Sequence, residues 1–95
     1  QAGGAAVNAP PLLPGQNATA AFDSVPHTLT IYLNASGSYS IRLYAPGVDM
    51  AVNGTRVYGL CQAAVSGKAA AVLNIEVFNA PPAKPRLEVT VVRTG

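Results

Sequence analysis

Charge is what this 95-residue chain has least of: charged residues make up 11% of it, against roughly 25% in an average soluble domain. Asp23, Asp49, Glu76 and Glu88 face Arg42, Arg56, Lys68, Lys84, Arg86 and Arg93, for a formal net charge of +2. Six scattered cations build no basic stripe, so the reading excludes nucleic acid as a partner. Cysteine is nearly absent as well, with Cys61 alone, which excludes an internal disulfide and a cysteine-rich zinc site. Long apolar runs are missing too. Residues 1–22 carry no charge until Asp23, yet Pro10, Pro11, Pro14 and several glycines interrupt them, and a membrane span needs about 20 predominantly apolar residues.

The same scarcity bears on chemistry. His27 is the lone histidine, and Asp23-Ser24-Val25-Pro26-His27 holds a triad's residue types. Triad members converge from separate segments, however, whereas adjacent residues leading into a strand point alternately to opposite sides. The four carboxylates are dispersed, while a calcium site draws about six to eight oxygens from clustered donors. Gly3-Gly4 precedes neither a lysine nor a helix start, so no phosphate-cradling loop is present. The expectation is a protein that is not an enzyme and has no cofactor, metal site or catalytic residue.

What is abundant is alternation of period two, the signature of half-buried strands. Leu29, Ile31 and Leu33 alternate with Thr28, Thr30 and Tyr32; Tyr39, Ile41 and Leu43 alternate with Ser40, Arg42 and Tyr44. Ala45-Pro46-Gly47 is expected to end that second strand. Asn53-Gly54 between residues 50–52 and 55–58 is the strongest two-residue hairpin signal, since a type I′ turn needs positive φ at both central positions. Residues 72–78 and 86–93 alternate again, and residues 18–22 add another strand. Residues 62–65 and 68–71 are the only stretches with any helix propensity, and residues 80–85 read as a stiff proline link. The fold class expected is all-β: a small antiparallel sandwich of six or seven strands, Ig-like or jelly-roll-like, spanning residues 17–95. Its core is expected to hold Phe22, Leu29, Ile31, Leu33, Tyr39, Ile41, Leu43, Val52, Val57, Leu60, Leu73, Ile75, Val77, Leu87, Val89 and Val91.

Asn17-Ala18-Thr19, Asn34-Ala35-Ser36 and Asn53-Gly54-Thr55 match the acceptor pattern for N-linked glycans. Together with a chain that opens on Gln1, they suggest a processed, extracellular or cell-surface glycoprotein modified at Asn17, Asn34 and Asn53. Residues 1–16 read as an extended apolar N-terminal arm in which Ala5, Ala6, Val7, Leu12 and Leu13 need covering. The arm can add to a neighbouring subunit's sheet edge, fold across its own body, or serve as a linker. The first is favoured, because a weakly charged surface repels its own copies little. The expected function is therefore a structural subunit of an extracellular filament, pilus or surface layer, a homopolymer whose partners are copies of itself. The alternative is a carbohydrate- or protein-binding module of a larger secreted protein, using outward-facing Tyr32, Tyr44 and Tyr58.

Overall fold

In the computed structural model, which describes residues 4–67, 69–79 and 84–95, the alternating segments become seven strands. They are β1 (Gly4–Ala9), β2 (Asn17–Phe22), β3 (Thr28–Leu33), β4 (Ser38–Val52), β5 (Thr55–Ser66), β6 (Ala70–Asn79) and β7 (Leu87–Arg93), with no helix among the described residues. The hydrogen-bonded order is β1-β3-β6-β4-β7-β2, with β5 on the other side of β4. This single mixed sheet curls nearly into a barrel, and residues 10–16 join the strands at its two ends. The strands of residues 17–95 pair antiparallel as expected, in one nearly barrel-shaped sheet, and the parallel element is β1, outside that range. β1 runs parallel to β3, Ala5 beside Leu29 and Val7 beside Ile31, while every other pairing is antiparallel.

The long strands explain the curl. The first part of β4 lies between β5 and β7, and its last part between β5 and β6. β6 in turn pairs with β3 through Ala70 to Asn74 and with β4 from Ile75 onward, so one strand serves both walls. The predicted stop at Ala45-Pro46-Gly47 is a bulge instead: the pairing with β5 jumps from Tyr44 to Asp49, and the strand continues. Pro46 and Gly47 swing outward to solvent, where the missing ladder donor costs nothing, while Ala45 and Val48 are fully buried.

Residues 62–65, the first stretch with helix propensity, belong to β5, because pairing with Ile41, Arg42 and their neighbours on β4 outweighs a weak local preference. Residues 69–71 lead into β6, and Lys68 lies outside the described residues, as do residues 80–83 of the proline link.

One buried cluster fills the interior, with Leu29, Ile31, Tyr39, Ile41, Leu43, Val48, Met50, Leu87, Val89 and Val91 at its centre. Four expected core residues fall short. Phe22 and Val57 are half-buried, Leu60 is 44% exposed and Val77 37% exposed. Leu60 falls on the outer face of β5, opposite Val57 and Cys61, where the strand's alternation places it. Val77 lies past the part of β6 that β3 covers.

Candidate functional site

β1 carries the feature of greatest consequence for function. Ala5, Val7 and Ala9 alternate with Ala6 and Asn8, so a strand of this sequence buries one face made of small residues. Val7 and Ala9 are buried in the central cluster and Ala5 packs against it, while Ala6 is exposed. Beyond Pro10-Pro11, Leu12 is buried too, and Leu13 is 66% exposed. Of the three placements open to residues 1–16, the structure shows the second for residues 4–9: the segment is a strand of its own chain's sheet and shares its core. The reason is visible in the sequence, since burying Val7, Ala9 and Leu12 recovers apolar transfer energy that a free arm forgoes.

β1 hydrogen-bonds with β3 alone, as an edge strand at one end of the path. The segment after it is anchored separately. Leu13-Pro14-Gly15-Gln16 forms a turn in which the Gln16 amide donates to the Leu13 carbonyl at 2.9 Å, and the Gly15 amide donates to the Arg93 carbonyl at 2.7 Å. The Arg93 guanidinium donates to the carbonyls of Leu12 at 2.7 Å, Ser36 at 2.8 Å and Gly95 at 3.1 Å, and sits over the Tyr39 ring. Arg93 was invisible as a site in the sequence, where it reads as a solvated strand end.

The three glycan-acceptor asparagines lie on the surface, and so do Thr19, Ser36 and Thr55 that complete the patterns. Asn17 starts β2 and Asn34 follows β3. Asn53, at φ 52, and Gly54, at φ 84, make the tip of the β4–β5 hairpin. The Asn53 side-chain oxygen accepts from the Asn74 amide at 3.0 Å, and the residue is exposed.

Tyr32, Tyr44 and Tyr58 are exposed, at 46%, 37% and 69%. They do not converge: Tyr32 lies on β3, whereas Tyr44 and Tyr58 lie on neighbouring strands either side of the β4 bulge. Beside Tyr58, Asp49 accepts two hydrogen bonds from Arg56, both 2.8 Å, and the Arg56 guanidinium lies 4.1 Å from the centre of the Phe78 ring. The hydrogen bonds from Arg56 hold the Asp49 carboxyl below the usual carboxylate range, and Asp49 raises Arg56 in return.

A cleft of about 310 Å³ opens between the free edge of β5 and the start of β6, lined by Val52, Val57, Leu60, Cys61, Ala63 and Leu73 among others. Partial burial pushes the Cys61 thiol up from its ordinary value. Among the described residues, no three His, Cys, Asp or Glu side chains come together as a metal site would require, and no helix is long and apolar enough to cross a membrane. Asp23, the acid nearest His27 in sequence, faces Arg86 at 3.7 Å, both exposed. No known protein family, curated protein or solved structure matches this chain.

Proposed function

We propose that the chain is a structural subunit of an extracellular filament, pilus or surface layer, and that it assembles by giving its N-terminal strand to a neighbouring copy. The observation that supports this is β1 itself: a terminal strand, hydrogen-bonded to β3 alone, whose Val7 and Ala9 fill the core. A groove that accepts β1 from its own chain accepts the identical strand of another copy in the same register, with nearly the same contacts. Such strand exchange is a low-cost route to association, and when head-to-tail contacts do not close, a filament results. Pro10-Pro11 is a hinge of suitable stiffness, because neither residue donates a backbone hydrogen bond that exchange would break. In this reading glycans on Asn17, Asn34 and Asn53 coat the outer surface of the polymer.

Negative-stain electron microscopy of the purified chain, with and without residues 1–9, tests the proposal. The full chain is expected to form filaments of one subunit. The shortened chain is expected to form no filaments and to regain order when a peptide of residues 4–9 is added. Filaments that persist without residues 1–9, or a full chain that stays monomeric, would overturn it. Intact mass on the same sample checks the glycans, expected as sugar-sized steps above 9.7 kDa.

Exposed Tyr58 and Phe78 flanking the Arg56–Asp49 pair support a second reading, a carbohydrate- or protein-binding module of a larger secreted protein. Specific glycan binding by the monomer that is lost in Tyr58→Ala would favour it.

A further inference from the structure

Sheet edges display unpaired N–H and C=O groups, and folded proteins guard them by shortness, proline, charge or a bulge. Among the described residues, three strands pair on one side only: β1, β2 and β5. β1 and β2 have six residues each; Pro10 follows the first and the charged Asp23 follows the second. β5 has twelve. Its residues 57–66 contain no charge and no proline. After Gly59, residues 60–66 pair with residues 38–44 of β4 without a register break, so no bulge guards the outer edge of this stretch, and the nearest charge after it in sequence is Lys68. The one charge at its near end, Arg56, is neutralised by Asp49. Inside the edge lies the apolar cleft, whose far wall is the part of β6 before Asn74, unpaired on that side among the described residues.

We infer that the free edge of β5 is a pairing surface for β5 of a second copy, antiparallel about a two-fold axis. The charge pattern selects this occupant. An uncharged strand meets its own copy without like-charge repulsion, and an antiparallel pair of identical strands satisfies its edge groups reciprocally. Full overlap of residues 60–66 sets Ala63 opposite Ala63 of the second copy, Cys61 opposite Val65, and Gln62 opposite Ala64. Small side chains at the centre let the backbones approach, and the pairing covers Leu60, a large apolar side chain exposed on that stretch. The surface uses neither β1 nor β3, so two-fold pairing and strand exchange are independent, and together they join linear chains side by side.

Sedimentation equilibrium of the full chain tests this, comparing it with the double variant Leu60→Lys and Ala64→Lys. Both positions are exposed, and thermal unfolding by circular dichroism checks that the variant folds. The lysine pair is expected to raise the dissociation constant of the two-fold contact tenfold or more. In a Cys61→Ala background, Ala63→Cys is expected to cross-link copies under mild oxidation much faster than Leu13→Cys, an exposed control remote from β5. Association unaffected by the lysines, or cross-linking at position 63 no faster than at 13, would overturn the inference. So would a peptide of residues 4–9 that protects residues 60–66 from hydrogen exchange where the chain's own association does not. A full chain that pairs two-fold but forms no filaments would instead sink the exchange of β1 and leave this surface standing.

Discussion

Arg93 ties three segments together: its guanidinium reaches the carbonyls of Leu12, Ser36 and Gly95 while its backbone bonds residues 15 and 16. A planar fork with several donors suits three carbonyls in different directions, and a lysine ammonium does not reproduce that geometry. Hydrogen bonds from charged donors contribute about 1.5–3 kcal/mol each at best, and partial exposure reduces that. Arg93→Lys is expected to lower stability by about 1–2 kcal/mol in urea unfolding, with protection of the Leu12 to Gln16 amides lost first in hydrogen exchange. None of this was legible, because two of the three partners, the carbonyls of Leu12 and Ser36, are far away in sequence. Other residues were readable one by one. The positive φ at Asn53 and Gly54 follows from what a two-residue hairpin demands, and the outward tyrosines follow from period two. Leu60 was misread because its size was counted and its parity was not: alternation from Val57 puts Gly59 and Cys61 inward and Leu60 outward, as the strand has it.

At the scale of elements, the strands flanked by clear turns were legible and the rest were not. β3 and β7 match their alternating segments within a residue or two. β4 was cut short because a proline inside a strand argues for its end, and only a bulge with a partner on each side rescues it. β1 was readable in period, through Ala5, Val7 and Ala9, but its parallel partner twenty-four residues away leaves no local turn signal. Its weight in the fold can be measured. Parallel pairing at an edge is slightly weaker per residue than antiparallel, so the side chains of β1 should carry much of its docking. Val7→Ala is expected to cost about 1–2 kcal/mol by the usual penalty for trimming a buried aliphatic group. Val7→Asp is expected to release the strand, seen as fast exchange of the residue 4–9 amides while β4 and β7 stay protected. Protection unchanged in Val7→Asp would mean that the backbone ladder alone holds β1.

For the whole molecule, scarcity of charge sets the response to pH. Hydrogen bonds from Arg56 depress Asp49, so its contribution is present above the ordinary carboxylate value of 3.8 and is lost as pH falls through the lower, folded value. Burial raises Cys61, so the unfolded thiol ionises first and stability declines as pH climbs past its ordinary 9.0. The melting temperature is expected to be flat from about pH 5 to 8, with the acid decline reduced in Asp49→Asn and the alkaline one reduced in Cys61→Ala. A steep change across neutral pH would contradict this, since it would require a titrating group that the described interior does not contain. The all-β class was legible from alternation alone; the near-barrel was not, because closure depends on β4 and β6 changing partners along their length.

The parallel register of β1 on β3 has a mechanical side. Pulling one strand along its axis against a parallel neighbour loads the cross-strand bonds in shear, so that they resist together, whereas peeling a hairpin apart breaks them one after another. A tug on Gly4 directed away from Ala9 therefore meets the whole length of the strand at once, together with Val7 and Ala9 seated in the interior. In a chain of subunits joined through that strand, tension along the chain would find its joints at their strongest.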